Sequence, residues 1–398
     1  MIHFLLKIIT ITTLCFPYCV YVYAQPVALT DNTLIGFLQI TSIDKENGII
    51  YNAEKSYLKI DMFFSPLPRD YRINDKGDQI INTKKIIQNI KGNLVIRDVP
   101  QIDVPGMGSV RAAAKYTSKT DEIILYYTQN IYTNMEASDS LIFGYYNIME
   151  NKLLNTFLIK NNYRTEYQIS HDGNTILGYE DGHILHLYVK NDDEYIETIH
   201  GPYYTSIYPM ISQSGNRVFF LMRSGQNEEL QWVYLENQSV GWSKEIPIPI
   251  SPLTVDDQEV KLVHVTGIAN DGHTLIVRSD IHNDSTGKYH LAVIHETENG
   301  WSKPEYVGDF DYWIENIYNS EDGRVIALQQ TKRYSEMYGP LSYDGYVFIR
   351  NDEGKWIRNK VNPEGVEVMQ SMLLSGDGST LLWNPSNSLT FPSYPEMK

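Results

Sequence analysis

Cysteine is almost absent from this chain. Its only two cysteines, Cys15 and Cys19, both lie within the first 24 residues. Everything after that segment therefore lacks the residues needed for a disulfide or for a cysteine-based zinc site. We expect residues 25–398 to be stabilised by the packing of their own core, without covalent cross-links.

Long apolar runs are also scarce, and the only extended one lies at the start of the chain. Residues 8–22 are largely apolar, follow the single basic residue Lys7, and end in Val22-Tyr23-Ala24. This pattern is typical of a cleaved secretory signal. We predict a signal peptide over residues 1–24 and a periplasmic or secreted protein that does not insert into a membrane after cleavage. The alternative is an uncleaved anchor, because about 20 apolar residues can span a bilayer.

Clusters of basic residues are missing as well. The formal net charge is −16, and no run of lysine or arginine interrupts the acidic surface. Nucleic acid and anionic lipid would both repel such a chain. We therefore exclude nucleic acid as a partner.

Motifs for common chemistries are absent. The sequence has no Gly-x-Ser-x-Gly elbow, no phosphate-binding loop and no dinucleotide fingerprint. His183 and His186 are three apart, so on a strand they face opposite ways and do not share an ion. The acidic stretches 191–194 and 280–284 lack the regular ligand spacing of a calcium loop. We predict no metal and no cofactor.

A repeat is present. Five segments superimpose without gaps, each ends in glycine, and each has an aliphatic residue three positions later. The five segments are Ile169–Gly173, Ile211–Gly215, Ile268–Gly272, Asn319–Gly323 and Leu374–Gly378. Weaker copies end at Gly77 and Asp121, which gives seven anchors spaced by roughly 50 residues.

Each repeat has the same order of local signals. A strand leads into an Asp-Gly type turn, two more strands follow, and Gly-Trp or Gly-Lys-Trp precedes a last short strand. Four antiparallel strands in about 50 residues are typical of a propeller blade. We predict an all-β fold in which residues 25–398 form a single seven-bladed β-propeller, with six or eight blades as alternatives. Trp242, Trp301 and Trp356 are expected to pack between blades.

The two ends of the chain are expected to meet. The last repeat contains one clear strand, residues 380–383, and so lacks partners. Residues 34–43 and 49–64 contain strand-like runs that no anchor precedes. Because unpaired sheet edges promote association, we predict that these N-terminal strands complete the last blade and close the ring.

One repeat carries a family resemblance. Tyr208-Pro209, residues 211–215, Arg217–Phe220, Trp232–Leu235 and Gly241-Trp242-Ser243-Lys244 follow one another in the order found in TolB-type, WD-like bacterial propellers. The chain resembles this family best over residues 162–383. The resemblance implies a periplasmic or secreted protein that binds other proteins or glycans, and some such propellers serve as non-catalytic domains beside enzymes.

The predicted ligand site is the mouth of the central channel. Its candidate residues lie eight to eleven positions before the anchors and mix aromatic rings with both charges, as a recognition surface does. They are Arg111, Arg164, Tyr204, His264, Tyr312, Trp313, Glu315 and Glu367.

Two functions fit this site. The first is a monomeric binding module or scaffold for a protein or a cell-envelope glycan, without catalysis of its own. The alternative is a secreted hydrolase acting on a glycan or lactone. In that case Arg111 and Arg164, with Glu166 and Glu315, would supply a carboxylate-binding and acid/base set.

Overall fold

The computed structural model covers most of the chain after the predicted signal peptide. It describes residues 35–61, 72–73, 79–81, 85–90, 93–98, 111–116, 122–128, 140–147, 152–160, 166–170, 172–180, 183–192, 194–203, 209–223, 229–280, 288–335, 339–362 and 366–387. Apart from the short 3-10 turn Asn270–Gly272, the regular structure in these ranges consists of β-strands.

The strands form antiparallel units that follow one another along the chain. An N-terminal hairpin consists of β1 (Ile35–Asp44) and β2 (Ile49–Asp61). Unit 1 contains β3 (Arg72–Ile73), β4 (Gln79–Ile81), β5 (Lys85–Ile90) and β6 (Asn93–Asp98). Unit 2 contains β7 (Arg111–Tyr116), β8 (Glu122–Thr128), β9 (Ser140–Asn147) and β10 (Lys152–Lys160). Unit 3 contains β11 (Glu166–Ile169), β12 (Thr175–Glu180), β13 (Ile184–Asn191) and β14 (Glu194–His200).

The later units carry small additions. Unit 4 contains β15 (Met210–Ile211), β16 (Arg217–Met222), β17 (Gln231–Gln238), β18 (Gly241–Trp242) and β19 (Ile246–Pro247), and a hairpin of β20 (Leu253–Val255) and β21 (Gln258–Val260) follows it. Unit 5 contains β22 (Leu262–Ala269), β23 (Thr274–Ser279), β24 (Tyr289–Thr297), β25 (Gly300–Trp301) and β26 (Glu305–Phe310). Unit 6 contains β27 (Ile314–Asn319), β28 (Val325–Ser335), β29 (Gly339–Arg350) and β30 (Trp356–Lys360), and the last strands are β31 (Val366–Leu374) and β32 (Thr380–Asn387).

Units 1 to 3 have four strands and units 4 and 5 have five, and a single pair between β29 and β31 joins unit 6 to the terminal strands in one sheet. Such a succession of antiparallel meanders is typical of a β-propeller. The prediction of an all-β, propeller-type fold is confirmed at that level. The first four strands of each unit pair in chain order, as the order of sequence signals predicts, and in units 4 and 5 the fifth strand pairs with the third. In unit 3, for example, β11 pairs with β12, β12 with β13, and β13 with β14.

The core lies between neighbouring units, which explains why the second strand of a unit is apolar on both faces. Val218 and Phe220 of β16 pack in a cluster with unit 3 residues such as Leu177. Phe219, on the opposite face of the same strand, packs in a cluster with unit 5 residues such as Leu275. Because both faces meet another sheet, the run Arg217–Met222 lacks the polar alternation of a half-exposed strand.

The repeated tryptophans occupy equivalent places between units. Trp242 packs against the cluster shared by units 3 and 4. Trp301 packs against the cluster shared by units 4 and 5, and Trp356 against the cluster shared by units 5 and 6. The prediction that these side chains pack between blades is confirmed.

The anchor turns are held by their own side chains. In unit 3, the Ser170 hydroxyl donates to Asp172 Oδ1 at 2.7 Å and accepts the Thr175 backbone N–H at 2.9 Å. Asp172 Oδ1 also accepts the Asn174 backbone N–H at 2.9 Å. The same three contacts recur in unit 6 and between β31 and β32. These side chains satisfy backbone N–H groups at the turn, so the Ser-x-Asp-Gly motif is structural.

Two of the anchor glycines, Gly215 and Gly378, also lie against the turn of the preceding unit. A Cβ placed on Gly215 would be 2.5 Å from the Thr175 Cβ and 2.8 Å from the Ser170 Cβ. A Cβ on Gly378 would likewise be 2.8 Å from the Ser320 Cβ. At these two positions a side chain in place of glycine would clash with the turn of the neighbouring unit.

The N-terminal hairpin joins the other end of the chain. β1 pairs with β32 from Gln39 opposite Trp383 to Ser42 opposite Thr380. The Trp383 indole donates to the Thr41 hydroxyl at 3.0 Å, and both residues are buried. The first and last strands thus lie in one sheet, which is the pairing expected from the sequence.

Lys45 links the N-terminal hairpin to two of the anchor turns. It lies between β1 and β2, and its ammonium donates to Asp322 Oδ2 at 2.9 Å and to the Asp377 carbonyl at 2.7 Å. Burial alone would raise the pKa of Asp322, but hydrogen bonds from Ser320, Lys45 and the Arg324 backbone outweigh it, so the pKa is lowered.

Replacing Asp322 with asparagine should make the free energy of unfolding less dependent on pH in the acid range. A carboxyl group whose pKa is lowered by folding contributes stability above its unfolded pKa, near 3.8, and loses it as the pH falls through the lower folded value. Urea unfolding of wild type and Asp322→Asn at pH 7 and at pH 3 tests this. The difference between the two proteins should shrink at pH 3. Asp352→Asn is a control for acid sensitivity in general. A constant difference at both pH values would contradict the prediction.

Candidate functional site

The candidate site lies at the end of units 5 and 6 opposite to the anchor turns. Here β22 and β27 begin, β23 and β26 end, and residues 311–313 connect β26 to β27. We call this surface the unit 5 face. It comprises His264, Arg278, Tyr289, Tyr312 and Trp313, together with an acidic side made of Asp256, Lys288, Tyr306, Asp309 and Asp311.

Two exposed aromatic rings dominate the unit 5 face. Tyr312 is 61% exposed and Trp313 is 46% exposed. The connection that carries them is nevertheless held in place, because the Trp313 carbonyl accepts the Thr331 backbone N–H at 2.9 Å. The Trp313 ring also meets the Tyr289 ring edge-on, with centroids 5.8 Å apart. The rings are thus presented to solvent from a fixed backbone.

A partly buried cation lies under the tryptophan. The Arg278 guanidinium carbon is 5.0 Å from the centroid of the Trp313 ring, within the range of a cation–π contact. Burial lowers the pKa of Arg278, while Tyr289 and Asp280 act in the opposite direction. Arg278 Nη1 is buried and has no hydrogen-bond partner among the described residues.

His264 faces Arg278 from the neighbouring strand, because the two residues are paired across β22 and β23. Burial and the Arg278 charge lower the pKa of His264, and Asp280 only partly opposes them. His264 is therefore neutral at neutral pH. It contributes a hydrogen-bonding ring rather than a second positive charge.

Carboxylates surround a single ammonium on the acidic side. Lys288 forms an ion pair with Asp309 and lies 3.9 Å from Asp311 Oδ1. The Tyr306 hydroxyl donates to Asp309 Oδ1 at 3.1 Å. Burial, with the neighbouring Asp309, raises the pKa of Tyr306 to about 12.

Asp309 and Lys288 stabilise each other's charged forms. Burial opposes ionisation of Asp309, but hydrogen bonds from Lys288 and Tyr306 outweigh it and lower the pKa of this carboxyl. The pKa of Lys288 is raised by its hydrogen bond to Asp309 and by the charges of Asp309, Asp311 and Asp256. Asp309 and Lys288 are therefore both charged at neutral pH.

The structure brings together part of the set predicted from the sequence. His264 and Trp313 both neighbour Arg278, and Tyr312 is adjacent in the chain. For Arg111, Glu315 and Glu367 the backbone alone is described: they lie in β7, β27 and β31. Arg164 and Tyr204 fall outside the described residues. Whether these five side chains join the site stays a prediction, and so does the acid/base set of Arg111, Arg164, Glu166 and Glu315.

Sequence reasoning missed Arg278, Tyr289, Tyr306 and Asp309. The predicted positions were counted back from the anchors, which reaches only the first strand of each unit and the connection before it. Arg278 is the penultimate residue of the second strand and Tyr289 begins the third, so both lie at the same end of unit 5. Counting forward from each anchor to the end of the second strand would have found Arg278.

The histidine pair occupies a different place. His186 lies in β13 between two carboxylates, with Nε2 3.0 Å from Glu180 and Nδ1 2.8 Å from Glu197. In the part of the chain that the structure describes, no group of three histidine, cysteine, aspartate or glutamate side chains is arranged to hold a metal ion. Within the same residues, no helix has the length and apolar character needed to cross a membrane.

Comparison with known proteins gives no family. No protein-family model matches the chain, and no curated protein sequence matches it.

Solved structures with similar folds exist at low sequence identity. The β-propeller domain of Myceliophteria thermophila Cps50 (Swd1) is 7% identical, with a TM-score of 0.43, over 79% of this chain and 96% of that one. The acylaminoacyl peptidase of Pyrococcus horikoshii is 11% identical, with a TM-score of 0.49, over 83% of this chain and 53% of that one. The tricorn protease is 13% identical, with a TM-score of 0.48, over 84% of this chain and 35% of that one.

The chain thus spans about half the length of the peptidase and about a third of the tricorn protease. At these TM-scores the similarities say nothing about the activity of this chain.

Proposed function

We propose that this protein is an exported, monomeric binding module for a protein or glycan of the cell envelope, without catalysis of its own. Residues 25–398 form one domain in this proposal, a β-propeller of seven blades whose last blade consists of β31, β32, β1 and β2. The pairing of β1 with β32 supports the shared blade. The low content of charged residues in the N-terminal apolar stretch supports export.

The observation that carries the proposal is the exposed pair Tyr312 and Trp313 on a fixed connection. Large aromatic side chains are disproportionately important at recognition surfaces, where they bury much area at little conformational cost. The unit 5 face also places charged groups of both signs beside these rings, which supplies polar specificity.

Retention of an envelope component should depend on these two rings. Immobilised protein is incubated with envelope extract, and the retained material is compared between wild type and the double variant Tyr312→Ala/Trp313→Ala. Because the variant removes the exposed aromatic area but leaves the strands intact, we expect at least about a tenfold loss of the retained component.

The control variant is Tyr51→Ala. Tyr51 is 51% exposed on β2, distant in sequence from the unit 5 face, so its loss removes a similar ring without touching the site. Equal retention by wild type, double variant and control would refute the proposal for this face. Release of soluble sugar or of hydrolysed product from the extract by wild type would refute the absence of catalysis.

A further inference from the structure

We infer that the unit 5 face binds a lysine- or arginine-containing segment of a partner protein. This inference rests on the proposed binding function and names its ligand class. It follows from the charges around Lys288, from the aromatic rings beside them, and from the cation that Trp313 already holds.

The acidic side of the face has unused capacity for positive charge. Asp256, Asp309 and Asp311 all act on the same ammonium, that of Lys288. Asp311 is 72% exposed in its side chain, so its carboxylate remains open to a ligand. The Arg358 guanidinium also donates to the Asp309 backbone carbonyl at 3.3 Å, so these three carboxylates face two cations and leave one negative charge in excess, which a ligand's cation would balance. Lys288 itself demonstrates that this group of carboxylates accepts an ammonium.

Aromatic rings border these carboxylates. Tyr306, at 41% exposed, bonds to Asp309 through its hydroxyl, and Tyr312 and Trp313 directly follow Asp311 in the chain. The faces of such rings attract ammonium and guanidinium groups. Trp313 already has the Arg278 guanidinium 5.0 Å from its centroid, so a cation contact to this ring is compatible with the local packing.

The net charge of the chain also favours a basic protein segment over an anionic glycan as the partner. The chain carries a formal net charge of −16, and an acidic protein accelerates the approach of cationic partners and repels anionic ones. An anionic envelope glycan would meet Asp256, Asp309 and Asp311 at this face. A basic protein segment would meet complementary charge together with rings that its side-chain stems can cover.

A hexalysine peptide is a suitable probe, measured by calorimetric titration against full-length mature protein. We expect binding that weakens at least about fivefold between 50 and 300 mM salt, because exposed charges are screened over this range. Hexaglutamate and the neutral sugar chitohexaose are the comparison ligands, and neither should bind measurably. Binding of chitohexaose but not of hexalysine would overturn the inference in favour of a glycan.

Two pairs of variants locate the binding. Asp311→Asn/Tyr312→Ala should lose at least about tenfold in hexalysine affinity, whereas the matched Glu353→Gln/Tyr51→Ala removes one charge and one ring elsewhere and should change it less than twofold. Lys288→Gln should bind hexalysine more tightly, because the competing ammonium is gone, and Lys355→Gln is its control. Equal effects of site and control variants would overturn the inference, since binding would then reflect net charge alone.

The outcomes distinguish the inference from the proposed function. Envelope retention that depends on Tyr312 and Trp313, combined with no site-specific hexalysine binding, contradicts the inference and leaves the function intact. Retention that is independent of both rings contradicts the function of this face. All variants are first checked for wild-type thermal unfolding.

Discussion

Removal of residues 25–64 is expected to abolish cooperative folding. β1 lies between β2 and β32 in the sheet, with four residue pairs to β32, so its loss leaves a buried strand unpaired. Trp383, fully buried, would lose its hydrogen bond to Thr41 and part of its packing, and Ile43 would leave the same cluster. Hydrogen bonds at about 1 kcal/mol each and one or two buried side chains at about 2 kcal/mol each approach the 5–15 kcal/mol by which a domain is typically stable.

Thermal unfolding and light scattering measure this effect. The control is a protein lacking residues 1–24 alone, which retains both strands of the hairpin. We expect the control to melt in one transition and the longer deletion to aggregate through its exposed edge. A deletion variant that melts cooperatively at the control's temperature would show that the terminal sheet does not need β1.

Gly215→Ala should strongly destabilise the protein. Its φ of +75° already disfavours a side chain, and the new Cβ would lie 2.5 Å from the Thr175 Cβ in the preceding unit. Left-handed strain of about 1–2 kcal/mol combines with about 1–3 kcal/mol for overpacking. We expect a loss of about 2–5 kcal/mol in the free energy of unfolding, measured by urea titration.

Gly354→Ala provides the matched control. Gly354 has nearly the same φ, +78°, but the nearest atom to a new Cβ is Arg350 Nη2 at 3.6 Å, at the end of a flexible side chain. Its cost should therefore be the strain alone, about 1–2 kcal/mol. If both variants lose the same stability, close packing between units does not explain the anchor glycine.

Local sequence signals were sufficient to predict the strands and their order along the chain. The anchor Ser170-x-Asp172-Gly173 predicts a turn because its hydroxyl and carboxylate bond to nearby backbone groups, which depends on neighbouring residues only. The tryptophans were also predictable, because a large apolar ring at one register of a repeat has to be buried repeatedly, and Trp242 and Trp301 are packed as expected.

The site was only partly predictable. Tyr312 and Trp313 follow directly from counting back along a repeat, whereas Arg278 and Lys288 belong to other strands of the same unit. Their proximity to Trp313 and Asp311 depends on how the loops at one end of unit 5 come together. Loop conformations vary from unit to unit, so the periodicity of the strands carries no information about them.

The sequence by itself determined the kind of fold, because turn chemistry and strand periodicity act over a few residues and are repeated along the chain. The tertiary structure decided which faces meet: β1 against β32, Gly215 against Thr175, and a guanidinium beneath an exposed indole. These contacts join residues from different units or strands, and their energies depend on distances that no single stretch of sequence specifies.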